Sequence, residues 1–151
     1  MSEFSPDIQE RQKWMAVLAR CKPDELEARF NSLSNIPDWT YLRKPETGMV
    51  MVRGRAGGTG QRFNVGETTL TRTTVRLNSG QQGFGYVMGK NKRHSELAAI
   101  LDGMLQDASH TDTVKEKVIQ PLKVSVDAEK TERSRKAAST KVEFFTMVRG
   151  D

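Results

Sequence analysis

The sequence predicts an α+β fold: an antiparallel β-meander sheet flanked by N-terminal and C-terminal helices, with a C-terminal strand. Apolar residues recur at helical spacing on both sides of a central region, and ten of the twelve glycines fall between residues 38 and 89 of that region. Its segments have strand-like composition and are joined by short polar turns, as in a meander. We expect a single domain, residues 1–151, because this length supports one hydrophobic core.

The N-terminal region, residues 6–35, is predicted to be helical. Four of its residues follow the i, i+3, i+4, i+7 spacing that shares one helix face: Trp14, Val17, Leu18 and Cys21. A second helix is expected to begin near Pro23, because proline is well tolerated in the first helical turn.

The middle region, residues 38–89, is predicted to form the sheet. Five segments have the composition of strands: 39–42, 49–53, 62–65, 70–77 and 84–88. A turn is expected at Pro45–Gly48, and the glycine-rich segment 54–60 is expected to connect two further strands. Alternation along 70–77 predicts that Arg72 and Arg76 share one face.

Residues 92–140 are predicted to return to helix, partly as an extended arm. The apolar stripe that starts at Leu97 predicts a buried helix, and Pro121 is expected to interrupt the helical stretch that follows. Residues 142–149 have strong strand propensity and are predicted to form a C-terminal strand. Such a strand would either rejoin the chain's own sheet or add to the sheet edge of a partner. The candidate interface residues are Phe144, Phe145, Met147 and Val148.

The composition limits the classes of function. No apolar run is long enough to cross a membrane and the N-terminus has no signal-peptide core, so a cytoplasmic location is expected. Cys21 is the only cysteine, which excludes an internal disulfide and a four-cysteine metal site. The net charge is +5, and ten Lys/Arg face only two acidic residues between Arg43 and Arg93. Such a basic region fits a phosphate-rich or acidic partner, and equally a charged outer face of a sheet.

The glycine cluster at 54–60 and the neighbouring arginines form a candidate phosphate site. Backbone amides of glycines can approach phosphate oxygens closely, and arginines supply positive charge. The candidate residues are Arg55, Gly57, Gly58, Gly60, Arg62, Arg72 and Arg76. The cluster is neither a P-loop nor a dinucleotide fingerprint. A glycine-rich connection between two strands is the favoured interpretation.

No convincing catalytic set or metal site emerges from the spacing of reactive residues. His94 and Glu96 are weak candidates for acid–base chemistry, although such residues more often cap a helix. His110 is the only other histidine, and two isolated histidines make a poor metal site. These observations argue against an enzyme that acts alone.

Several blocks, in order along the chain, resemble the PhnG family, the G subunits of the carbon–phosphorus lyase core complex. The blocks are Arg11–Ala19, Glu46–Val50, Gly57–Phe63, Thr69–Arg72, Val75–Leu77, Gly83–Gly89, Lys92–Glu96 and Val142–Gly150. Together they cover nearly the whole chain, and residues 107–141 match least. The terminal Val142–Gly150 block is especially characteristic.

The resemblance implies a subunit of phosphonate catabolism that assembles with the H, I and J subunits and transiently with an L protein. In that family the complex displaces adenine from ATP with an alkylphosphonate, which yields ribose 1-alkylphosphonate 5-triphosphate. The iron–sulfur cluster and S-adenosylmethionine belong to the J subunit, so no cofactor is expected on this chain. The resemblance carries no established catalytic residue onto it. It also leaves open whether the arginines contribute to the nucleotide site.

A small basic nucleic-acid-binding module is the alternative from a different class. The basic sheet would supply phosphate contacts. Against this alternative, only Phe84 and Tyr86 offer stacking surfaces, and no recognised nucleic-acid-binding motif is present.

Overall fold

The computed structural model describes residues 6–55 and 62–149, except for the side chains of 52, 54–55, 62–65 and 139–149. The elements are helices α1 (Ile8–Arg20) and α2 (Pro23–Asn31), strands β1 (Trp39–Arg55), β2 (Arg62–Leu77) and β3 (Gln82–Met88), and helices α3 (Lys92–Leu105), α4 (Thr111–Val114) and α5 (Gln120–Arg149). A π-helical turn, Lys115–Ile119, joins the last two helices. The predicted α+β class, with an antiparallel meander between helices, is confirmed.

The three strands form one antiparallel sheet in the order β1–β2–β3. Strand β3 pairs with β2 only between Leu70 and Arg76, whereas β1 follows β2 along almost its whole length. The half of the β1–β2 hairpin beyond Leu70 is therefore a two-stranded ribbon that projects from the sheet. We refer to it as the ribbon, residues Gly48–Arg55 and Arg62–Thr69.

Two predicted strand boundaries are wrong. Pro45–Gly48 is not a turn, because β1 continues through it with register irregularities on either side of Arg43. Proline is tolerated there because β1 is an edge strand. A residue whose backbone N–H would point away from the neighbouring strand does not need that N–H for pairing. The predicted strands 62–65 and 70–77 are likewise one continuous strand, β2.

Helix α3 packs directly on the inner face of the sheet. All of its residues from His94 to Leu105 except Glu96 are buried, as expected of a helix enclosed on all sides. Two glycines of β3 permit this close approach. A Cβ atom at Gly83 would lie 1.9 Å from the Ala99 carbonyl oxygen, and one at Gly85 would lie 2.0 Å from that of Ser95.

The hydrophobic core lies between the sheet, α3 and the flanking helices. Helix α1 contributes the predicted apolar face, in which Trp14, Leu18 and Cys21 are buried. Leu26 of α2, the apolar residues of α3 and Val118 of the π turn complete the cluster. The helical spacing of apolar residues therefore predicted the helices and their buried faces correctly.

Asp102 of α3 is a fully buried carboxylate that joins three parts of the fold. The Arg11 guanidinium of α1 donates to both of its oxygens, from Nη2 at 2.9 Å and Nε at 3.2 Å. The Trp14 indole N–H donates at 2.8 Å and the Phe84 backbone N–H of β3 at 3.0 Å. Gln106 adds a longer bond at 3.3 Å. The hydrogen bond to Asp102 raises the pKa of Arg11. Every oxygen of this buried charge is thus satisfied.

The predicted C-terminal strand is wrong, because residues 142–149 are the last two turns of α5. Extension of the existing helix outweighs the local strand propensity here, because no glycine or proline interrupts the chain from Leu122 to Arg149. Pro121 does not end the helix either. Proline clashes with the carbonyl four residues before it, and the wider π turn immediately upstream accommodates the ring.

Replacing Asp102 with alanine is expected to lower the free energy of unfolding by about 3–5 kcal/mol, because Arg11 would keep a part-buried charge without its partner. Urea unfolding followed by circular dichroism measures this change. Asp102→Asn keeps the side-chain volume and one acceptor oxygen. This variant should therefore fold, and its free energy of unfolding should fall less than that of Asp102→Ala. The control is Glu132→Ala, whose ion pair with Arg135 is exposed and contributes about 0–1 kcal/mol. A loss below about 1 kcal/mol for Asp102→Ala would contradict this role.

Candidate functional site

The candidate functional site is the outer face of the sheet, the face opposite α3, together with the ribbon. On β2 the residues of the inner face are buried, while Arg72 and Arg76 are exposed on the outer face as the alternation predicted. Arg72 lies between Glu46 of β1 and Tyr86 of β3 in the strand register. This face therefore presents basic, acidic and aromatic side chains that are exposed.

Glu46 neutralises part of this basic face. Its Oε1 accepts hydrogen bonds from Arg43 Nη1 at 2.7 Å and from Arg72 Nε at 2.9 Å. The hydrogen bond from Arg43, and then that from Arg72, lower the pKa of Glu46. The three side chains form an exposed charge cluster with a net charge of one positive unit. Arg76 lies two positions further along the same face, opposite Thr40.

The structure does not bring all four predicted arginines together. Arg55 and Arg62 are directly paired near the tip of the ribbon. Arg62 and Arg72 are ten positions apart on β2, which corresponds to about 30 Å along a strand. One triphosphate cannot reach both pairs. Gly57, Gly58 and Gly60 lie outside the described residues, so the phosphate cradle predicted there stays a prediction.

The ribbon exposes apolar side chains. Met49 and Met51 of β1 are 60% and 52% exposed. Leu42 on β1 and Met88 on β3 are also exposed large hydrophobic residues. Flexible, polarisable methionines are common where a surface adapts to a partner. Isolated two-stranded hairpins are at best marginally stable in water, so this ribbon is suited to being covered in an assembly.

His94 and Glu96, the weak catalytic candidates, serve structural contacts. His94 is buried, and its Nε2 lies 2.7 Å from the Leu18 carbonyl oxygen, so that nitrogen must carry the proton it donates. Glu96 accepts from the Tyr41 hydroxyl at 2.6 Å and contacts Arg93. The two side chains therefore bind different partners and do not form an acid–base pair.

The sequence reasoning missed a second polar cluster, which follows α3. His110 Nδ1 lies 3.0 Å from Asp107 Oδ2 and 3.2 Å from the Ser109 hydroxyl. These residues border an open hollow of about 490 Å³, which Ser79 also lines. The Asp-x-x-His spacing was the available signal. Both contacts use the same ring nitrogen, so the arrangement differs from a catalytic triad, in which serine and carboxylate bind opposite nitrogens.

The remaining predicted interface residues lie on the last turns of α5. Phe144, Phe145, Met147 and Val148 are in helical backbone, and their side chains lie outside the described set. Among the described residues, no group of three or more His, Cys, Asp or Glu side chains is placed to hold a metal ion. In the same part of the chain, no helix is both long and apolar enough to cross a membrane.

Cys21 is expected to resist thiol reagents in the folded protein. Burial raises the pKa of its thiol to about 12, and His94 offers it a protonated Nε2 at 3.8 Å rather than a base. At pH 8 the thiolate fraction is then about a thousandfold below that of an exposed thiol. Ellman's reagent should label the native chain very slowly and the guanidinium-unfolded chain at once. Rapid labelling of the native chain would show that Cys21 is accessible and ionised.

Comparison with known proteins assigns the family. Residues 9–150 match the family model described as phosphonate metabolism protein PhnG. The chain is also 41% identical over 144 residues to the alpha-D-ribose 1-methylphosphonate 5-triphosphate synthase subunit PhnG of Rhizobium meliloti (strain 1021). That alignment covers 95% of this chain and 92% of the relative. The chain therefore belongs to the PhnG family of phosphonate metabolism proteins.

Proposed function

We propose that this chain is an assembly subunit of a cytoplasmic alkylphosphonate ribosyl-triphosphate synthase, part of the carbon–phosphorus lyase core complex. The complex would use ATP and an alkylphosphonate, release adenine and form ribose 1-alkylphosphonate 5-triphosphate. The partners would be the H, I and J subunits, with an L protein bound transiently. The relative's name as a subunit of a ribose 1-methylphosphonate 5-triphosphate synthase supports this role.

One structural observation carries the assembly role: the sheet and ribbon leave extensive apolar and charged surface uncovered. Met49 and Met51 on the ribbon and Met88 and Tyr86 on β3 are all exposed. Exposed apolar groups of this size, bordered by charge, mark surfaces that bind other proteins.

The polar groups of the chain favour positioning over catalysis. The His94 ring is bound to a backbone carbonyl, and Glu96 is bound to Tyr41 and Arg93. Glu46 holds Arg43 and Arg72. The catalytic chemistry would then belong to the assembled complex. We also propose that the iron–sulfur cluster and S-adenosylmethionine bind a partner subunit, since one buried cysteine cannot ligate a cluster.

A secondary contribution to the nucleotide site would come from Arg72 and Arg76. Both are on the outer face, and the substrate and product carry several phosphate charges. A basic side chain near such a ligand strengthens its binding through charge-assisted hydrogen bonds. The ribbon arginines, Arg55 and Arg62, would act at a separate place because of their distance along β2.

Co-expression of a tagged chain with the H, I and J subunits is expected to yield one stable multi-subunit particle on affinity purification. Deletion of residues 142–151 is expected to weaken recovery of the partners, because the aromatic end of α5 is a proposed contact. Size-exclusion chromatography and subunit staining measure both results. A tagged chain that is recovered folded and alone would contradict the assembly role. Unchanged recovery after the deletion would contradict the contact of α5 only.

The double substitution Arg72→Ala and Arg76→Ala is expected to raise the KM for ATP about tenfold while the particle stays assembled. Loss of charge-assisted hydrogen bonds to phosphate is the physical reason. Initial rates of adenine release by the assembled complex measure it. The matched control is Arg135→Ala, which removes an exposed positive charge from α5. Unchanged kinetics in the double variant would place the nucleotide away from this face.

A further inference from the structure

Strand β1 presents a regular free edge along the ribbon. In the described part of the chain, β1 pairs with β2 on one side and with no strand on the other. Its first half is irregular, with register shifts and Pro45. From Glu46 to Val52 it pairs with Arg72–Gly66 of β2 without interruption. The regular part of the edge is therefore Glu46–Val52.

Hydrogen bonds within the sheet reveal which backbone groups of this segment face outward. The Gly89 N–H donates to the Thr69 carbonyl at 2.8 Å, so the backbone of Thr69 faces β3. Because antiparallel strands alternate the side to which each residue bonds, Thr68 and Leu70 face β1. Their partners on β1 are Val50 and Gly48. Thr47, Met49 and Met51 alternate with Gly48 and Val50 along β1. Their N–H and C=O groups therefore point to the free edge.

This edge lacks the devices that normally prevent pairing with another chain. Natural edge strands are protected by proline, bulges, inward-pointing charges or a covering helix. Pro45 and the irregularities protect the first half of β1, whereas Thr47–Met51 has unbroken register and no charged side chain. All five of these residues except Val50 are exposed. A row of unpaired backbone groups flanked by exposed methionines is a template for a further strand.

The charges on β1 determine which kind of strand can pair with its free edge. Arg43, Lys44, Arg53 and Arg55 flank the free edge, against Glu46 alone. Antiparallel pairing of two copies around Gly48 or Met49 would place Arg43 opposite Arg53 or Arg55. Like charges opposite each other in a ladder are destabilising. A strand with acidic residues at its ends and apolar residues between them would complement the same edge.

We propose that an extended, acidic and apolar segment of a partner subunit adds to β1 as a fourth strand along Thr47–Met51. The inference rests on the proposed function, because it assigns one contact within the assembled complex. The added strand would bond the outward groups of Thr47, Met49 and Met51 and cover the two methionines. It would also turn the ribbon from two strands into three, which stabilises it.

Hydrogen–deuterium exchange of the whole complex and of the isolated chain tests the proposal. In the isolated chain the outward amides of Thr47, Met49 and Met51 should exchange fast, whereas those of Gly48 and Val50 are bonded to β2. In the complex with the H, I and J subunits, the outward amides should slow at least tenfold. A complex in which they stay fast would overturn the added strand and leave the assembly role intact. Failure to form any complex would overturn both.

A proline substitution separates backbone pairing from side-chain contact. Met49→Pro removes an outward N–H without touching the bonds to β2, and edge strands tolerate proline. It should weaken capture of the partner subunits about tenfold, while Met49→Ala, which keeps the N–H, should weaken it less. Circular dichroism of both variants checks the fold. Equal capture by Met49→Pro and the wild type would overturn the proposal. Slow exchange at these amides in a dimer of the isolated chain would identify a second copy as the occupant and overturn it too.

Discussion

The buried carboxylate of Asp102 is the interaction on which the arrangement of the fold depends. It receives hydrogen bonds from α1, from β3 and from Gln106 just after α3, so it sets the positions of α1 and α3 relative to the sheet. A buried charge is costly unless every lone pair is used, which makes the geometry selective for one arrangement. The glycines of β3 add a second constraint, because they set how closely α3 approaches the strand. With α3 held on the inner face, the outer face of the sheet stays exposed.

The division of the sheet into two faces explains why one small chain has both a core and a broad exposed surface. The inner face buries Val75 and Leu77 against α3, and the outer face carries the charge cluster around Glu46. The β1–β2 hairpin is much longer than β3, and none of the described side chains in its distal half belongs to the core. The ribbon therefore exists because β1 and β2 are longer than β3, and it is a continuation of the same sheet. In the proposed assembly, partners that cover these outer surfaces would add to the stability of the chain.

Sequence reasoning predicted the elements that periodicity controls and missed those that depend on distant contacts. The spacing around Trp14 and Leu97 identified the buried helices, and alternation placed Arg72 and Arg76 on one face. Strand propensity misassigned Val142–Arg149, because an uninterrupted helix upstream carries the backbone on as helix. The sequence pattern did not single out Asp102, since its partners Arg11 and Trp14 are 91 and 88 residues away in the sequence. The separation of Arg62 from Arg72 depends on strand length, which local composition does not report.

The distance in sequence between Arg11 and Asp102 has a consequence during synthesis on the ribosome. At roughly 5–20 residues per second, about 5–18 seconds pass between the translation of these two residues. Until α3 has been made, Trp14, Val17 and Leu18 of α1 lack the helix against which they are buried in the folded chain. The nascent chain therefore displays a short apolar helix that only late-made residues can cover. Transiently exposed apolar surface of this kind is prone to non-native contacts, and the translation of α3 ends that exposure.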